Sequence, residues 1–241
     1  MAHHPLQHAL IVAHGQPSDP APAEAELALL ATAVATHLPG WQVTSATLAD
    51  PDALARAVQG STGLVYPMFM SGGWFTTTHL PDRLAAAGAA NWQCLSPFGL
   101  DPAVQALAVK IAQDAMETSS VQPIGVLLAA HGSFRSTAPA DVAYAMVRQL
   151  QAAGFAQVEA GFIDRSPRIS DVAGHFGPNA VCLPFFAARG GHVTDDLPKA
   201  LAEAGFTGQV LPPLGLDPRV PGLIAGALRL AAGQAPAATL G

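Results

Sequence analysis

The sequence predicts an α/β protein of two homologous halves, each a parallel sheet flanked by helices, with the halves facing each other across a cleft. Three observations carry this. Segments recur at an almost constant offset, short apolar runs alternate with stretches of helical period, and His-Gly or Gly-rich turns directly follow the apolar runs.

Ala13-His14-Gly15 returns as Ala130-His131-Gly132, and Ala21-Pro22-Ala23 as Ala138-Pro139-Ala140, both 117 residues later. Residues 66–88 align with 183–205 at the same offset, with 10 of 23 positions identical. Gly99-Leu100-Asp101-Pro102 recurs as Gly215-Leu216-Asp217-Pro218, one residue closer. The halves are therefore 1–118 and 119–241, joined near the polar stretch 117–123.

Each half reads as four strand–helix pairs. In the second, Ile124 to Ala130 is a short apolar run, as for a parallel strand buried on both faces. Ala138 to Ala153 has apolar residues at helical spacing (Val142, Ala145, Met146, Leu150), opened by Pro139 and stopped by Gly154. Val158 to Ile163 and Ala180 to Phe186 read as further strands, Val193 to Ala204 and Asp217 to Ala231 as helices. Such alternation gives a parallel sheet whose ligands lie beyond the carboxyl ends of the strands.

Composition narrows the function classes. Half of the 241 residues are apolar, enough to bury a core, yet no run approaches the roughly 20 apolar residues of a membrane span. Met1-Ala2-His3-His4-Pro5 has neither a basic nor an apolar signal region, so a cytoplasmic location is expected. A net charge of −6 with two lysines argues against a nucleic-acid surface. Cys94 and Cys182 sit in apolar strand contexts without metal or redox spacing and are expected to be buried free thiols.

The residues able to carry chemistry follow the strands. His14 and His131 each end a first strand before a glycine. After the third strand of the second half comes Arg189-Gly190-Gly191-His192, then Asp195-Asp196-Leu197-Pro198. Asp164 ends the second strand there. Imidazoles with neighbouring carboxylates can hold a divalent ion of intermediate softness and accept protons near neutrality. For all three aspartates, helix capping is the plainer alternative. The first half has Phe75 in place of His192 and His79 in place of Asp196, so the halves have diverged. Arg135, Arg165, Arg168 and Arg189 lie in post-strand loops of the second half, whereas the equivalent loops of the first half have none. They are candidates for a rim that binds a polycarboxylate.

With these residues in view, the chain resembles the CbiX family of sirohydrochlorin chelatases. The resemblance rests on Ala130-His131-Gly132 and on the segment from Pro184-Phe185-Phe186 through Gly190-Gly191-His192 to Asp196-Leu197-Pro198. His14-Gly15 and Pro67-Met68-Phe69 repeat it in the first half. It implies insertion of Co²⁺, or Fe²⁺ or Ni²⁺, into a tetrapyrrole, the ion being a substrate, without ATP or an organic cofactor. By that likeness His131 and His192 bind the ion and take up pyrrole protons, with Asp164 where relatives more often have glutamate. His14 would be an accessory metal ligand. Met68, Met70, Trp74 and Phe75 would form an apolar wall for the macrocycle, and the protein would be a monomer or a homodimer.

Two rival readings compete with this one. A histidine phosphatase needs an arginine before its strand-ending histidine, and Ala13 and Ala130 occupy that place. A non-catalytic protein that binds or delivers a tetrapyrrole or metal is the stronger alternative, because a fold does not guarantee its site.

Overall fold

The structure, a computed structural model, describes residues 7–58, 62–118 and 125–233. The N-terminal pentapeptide, most of the joining stretch and Ile124 lie outside the described residues.

The first repeat runs β1 (Gln7–Ala13), α1 (Pro20–Thr36), β2 (Trp41–Thr47), α2 (Ala53–Ala57), β3 (Leu64–Pro67), α3 (Leu80–Ala86), β4 (Gln93–Cys94) and α4 (Pro102–Thr118). The second runs β5 (Gly125–Ala130), α5 (Ala138–Ala152), β6 (Gln157–Phe162), α6 (Ile169–Val172), β7 (Ala180–Pro184), α7 (Leu197–Glu203), β8 (Gln209–Val210) and α8 (Val220–Ala231). The strands form two four-stranded parallel sheets, β2-β1-β3-β4 and β6-β5-β7-β8, so the duplication is visible in topology as well as in sequence.

Burial follows strand position. Every residue of β5 and β7 is buried, which suits central strands covered on both faces, and their sequences are apolar throughout rather than alternating. The two-residue edge strands β4 and β8 are exposed. Cys182 lies in β7, where burial pushes its thiol up to about 12, as expected of a free structural cysteine. Cys94 corrects the expectation: it is exposed, because its apolar neighbours belong to an edge strand and not to the sheet centre.

The packing divides the chain differently from the repeat. One compact unit takes the chain up to Phe98 together with the stretch from Pro218 onward; the other is Gly99–Asp217. Thus α8 packs on α1 and β3, and α4 on α5 and β7. The boundaries 1–118 and 119–241 describe the duplication, whereas in packing each repeat contributes its final helix to the other unit. Helical periodicity shows that a helix has an apolar face; it does not say which sheet that face covers.

In the N-terminal unit, Leu10, Val12 and Val65 of the sheet pack with Leu54, Leu80, Leu84 and Trp92. In the other, Leu127, Ala129 and Cys182 pack with Ile169, Val172, Phe176, Leu197 and Leu201. Each such aliphatic side chain contributes about 1.5–3 kcal/mol by leaving water. Among the described residues no helix is long and apolar enough to cross a membrane.

The strand order fixes where a ligand binds. From β5 the chain goes to β6 on one side and later to β7 on the other, so their connections leave the sheet in opposite directions. The crevice at the carboxyl ends of β5 and β7 is the topological switch point of that sheet.

Candidate metal centre

Three strands of the Gly99–Asp217 unit deliver one polar side chain each to that crevice. His131 follows β5, Asp164 follows β6, and His192 follows the loop after β7. One donor atom from each lies within 4.8 Å of the others, and all three side chains are partly exposed. His131 Nε2 is 3.7 Å from Asp164 Oδ2, and the imidazoles meet edge to face at 4.3 Å between centroids. Donors about 2.1 Å from one ion stand at most about 4.2 Å apart. The triad therefore closes on an ion after side-chain shifts of less than about 1 Å. The three side chains are partly exposed, so the remaining coordination positions of such an ion would stay accessible.

Both ring orientations are set by acceptors. His131 Nδ1 is 2.7 Å from the Gly132 carbonyl, and His192 Nδ1 is 2.7 Å from Asp196 Oδ2. A carbonyl or carboxylate can only accept, so each Nδ1 donates, and Nε2 is the nitrogen left to offer a lone pair.

The local backbone makes this arrangement possible. Gly132 has φ +72°, and a Cβ there would lie 2.7 Å from Arg165 Cγ and 3.0 Å from Phe162 Cβ, so the turn after His131 needs glycine. His192–Asp196 forms a single π turn ahead of α7, in which the Leu197 N–H donates to the His192 carbonyl. Pro198, second in α7, has no N–H to give to the carbonyl four residues back, which favours this wider turn over a continued α ladder. The sequence predicts one helix from Val193 to Ala204, with capping as the plainer alternative role for Asp196. In the structure Asp196 makes no side-chain cap and orients His192 instead. Its signal was the four-residue spacing from His192, which a cap also satisfies.

The N-terminal unit has a different set at the corresponding places. His14, exposed, has Nδ1 2.9 Å from the Gly15 carbonyl, matching His131. The Leu48 N–H donates to the Ala13 carbonyl as the Ile163 N–H does to Ala130, so Ala49 stands where Asp164 does. The offset here is 115, not 117, so the counterpart of Asp164 is Ala49 and not Thr47; neither carries a carboxylate. Phe75 occupies the His192 position and packs on His14 at 4.8 Å; Trp74 stacks on His79 at 4.7 Å and Phe69 on Phe75 at 6.4 Å. Trp74 and Phe75 are exposed. Met68 is buried and belongs to the core, a correction to the expected wall, and the neighbouring Phe69 is partly buried against the same core.

The four loop arginines do not act as one group. Arg135 and Arg165 line a single open hollow of about 540 Å³. Arg168 donates to the Ile163 carbonyl and lies 5.5 Å from the Phe134 ring centroid. Arg189 is exposed in the loop before His192.

The sequence model of the CbiX family matches residues 125–230. A solved structure described as CbiX, the terminal enzyme for biosynthesis of siroheme in denitrifying bacteria, is similar at 47% identity and a TM-score of 0.86, over 93% of this chain and 99% of that one. A curated relative from Halobacterium salinarum, described as a probable sirohydrochlorin cobaltochelatase, is 24% identical over 170 residues, which span 60% of this chain and 58% of that relative. The sirohydrochlorin chelatase SirB of Bacillus subtilis subspecies spizizenii, in complex with cobalt, shares the fold at a TM-score of 0.71 and 16% identity, over 95% of this chain and 96% of that one.

Proposed function

The chain belongs to the CbiX family, and from that membership we propose that it is a chelatase that inserts a divalent ion into sirohydrochlorin or a closely related tetrapyrrole. The ion is a substrate. The observation that carries this reading is the convergence of His131, Asp164 and His192 at one sheet edge, with both Nε2 atoms free to ligate.

Insertion exchanges two pyrrole protons for one dication, so the site must hold the ion, release it and take up protons. A neutral imidazole Nε2 can bind either a metal or a proton. As the ion moves from His131 and His192 to the macrocycle nitrogens, the freed lone pairs accept the displaced protons, which pass on to solvent. Asp164 supplies negative charge that draws the dication in and a third donor that holds it. Trp74 and Phe75 offer flat apolar surface for a macrocycle.

Histidine–carboxylate sites follow the general affinity order and do not by themselves select Co²⁺, Fe²⁺ or Ni²⁺. The siroheme role of the 47% identical relative favours Fe²⁺ as the physiological ion, with Co²⁺ as an accepted substitute. Anaerobic insertion assays with each ion, followed by macrocycle absorbance, test this; Fe²⁺ should give the highest kcat/KM. His131→Ala and His192→Ala should each lower turnover about 10²-fold or more, with melting unchanged. Stoichiometric binding without multiple turnover would instead favour a carrier.

A further inference from the structure

We propose that the loops after β5 and β6 form a subsite for the carboxylate arms of the macrocycle, by which the protein selects substrates rich in carboxylates. This rests on the chelatase reading above. The hollow of about 540 Å³ is of the size of ordinary small-ligand pockets and has no acidic residue in its lining. Arg135 and Arg165 face it together with four hydroxyl side chains. Two of those hydroxyls are already oriented: Ser133 Oγ accepts from the Arg135 N–H at 3.1 Å and Ser136 Oγ from the Ala138 N–H at 3.2 Å. Their O–H protons remain to be donated, which suits an anion.

The hollow adjoins the metal triad through the chain itself. Ser133 is two residues beyond His131, and Arg165 follows Asp164. The Arg165 stem passes so close to Gly132 that a Cβ there would lie 2.7 Å from its Cγ, while its guanidinium lies 5.6 Å from the Phe162 ring centroid. An anion held here is tethered beside the ion-binding edge.

Phe134 adds the feature that separates a macrocycle arm from a free inorganic anion. It is 73% exposed, lines the same hollow, and is steadied by Arg168 near its ring. Apolar surface next to two guanidiniums fits a carboxylate carried on a hydrocarbon edge. The duplicated half supplies an internal contrast. Aligned on the strand-end hydrogen bonds, Arg165 corresponds to Asp50, and at the repeat offset Ser136 corresponds to Asp19. Asp50 is paired with Arg56, so the equivalent loop of the first half holds a neutralised carboxylate where the second half has the Arg165 guanidinium.

The test is fluorescence-monitored binding of metal-free uroporphyrin, coproporphyrin and protoporphyrin, which carry successively fewer carboxylates, to the full chain and to Arg135→Gln, Arg165→Gln and the double variant. Each single substitution should weaken uroporphyrin binding about tenfold, weaken coproporphyrin less, and leave protoporphyrin nearly unchanged. Arg135→Lys, which keeps the charge without the planar fork, should fall between wild type and Arg135→Gln. Melting curves establish that the variants fold. Equal losses for all three macrocycles, or inorganic phosphate displacing uroporphyrin at comparable concentration, would overturn the subsite. Wild-type insertion, measured alongside, stands or falls separately: if the wild type binds uroporphyrin in the predicted order yet inserts no ion, the chelatase reading fails and the subsite survives.

Discussion

At His192 a single carboxylate decides which ring nitrogen is left for a ligand. Asp196 accepts from Nδ1–H at 2.7 Å, so its removal frees the ring to rotate or to change tautomer. Asp196→Asn and Asp196→Ala should weaken Co²⁺ binding about 10–100-fold, whereas Asp195→Asn, at an exposed neighbour, should have little effect. Isothermal titration with Co²⁺ and the ¹⁵N shifts of the His192 ring measure affinity and tautomer separately. A wild-type tautomer in Asp196→Ala would show that the carboxylate does not set it. The cysteines give a second residue-scale prediction. Burial disfavours the Cys182 thiolate and Cys94 is exposed, so a thiol-specific reagent at pH 8 should modify Cys94 in the folded protein and reach Cys182 only after unfolding. His131, Asp164 and His192 were legible in the sequence because each follows a strand, and strand ends are where open α/β sheets place chemistry. Asp196 and Ala49 were not: an aspartate near a helix start has two common uses, and a two-residue change of offset conceals which positions correspond.

Between residue and fold stands the π turn at His192–Asp196, matched by Phe75–His79 in the first repeat. Both precede a Leu-Pro pair, Leu197-Pro198 and Leu80-Pro81, and in both the leucine N–H reaches the carbonyl five residues back. The turn holds the side chains at its first and last positions against each other, His192 with Asp196 in one unit and Phe75 with His79 in the other. Pro198→Ala restores a backbone donor and removes the ring clash, which lets α7 extend toward its N-terminus as an α-helix. The expected result is unchanged or higher thermal stability together with several-fold weaker Co²⁺ binding, because the gain in regular helix turns His192 from its position. Unchanged affinity would mean that the turn persists without proline. Strand and helix identities could be read from apolar runs and period, but one wide turn disturbs a 3.6-residue pattern too little to be seen.

At the scale of the molecule, the repeat and the packing units make opposite predictions about which fragment folds. A fragment of residues 119–241 is the sequence repeat, yet it lacks α4, which in the intact chain packs on α5 and β7. It also carries α8, whose Val220, Ile224, Ala225 and Leu228 are fully buried in the N-terminal unit, against α1 and β3. Freed of those partners, the α8 face would expose side chains worth about 1.5–3 kcal/mol each for the larger ones, comparable in sum to the whole stability of a small domain. A fragment of residues 99–217 instead retains both helix layers of its sheet, its core around Leu127 and Cys182, and all three donors of the metal triad. It should therefore melt cooperatively and bind Co²⁺ within a few-fold of the full chain. The 119–241 fragment should melt broadly or aggregate. Circular dichroism melts and Co²⁺ titration of the two fragments decide between them. If 119–241 melts as sharply as 99–217, α8 has folded back onto the sheet of its own repeat, and the packing units are then interchangeable with the duplicated halves.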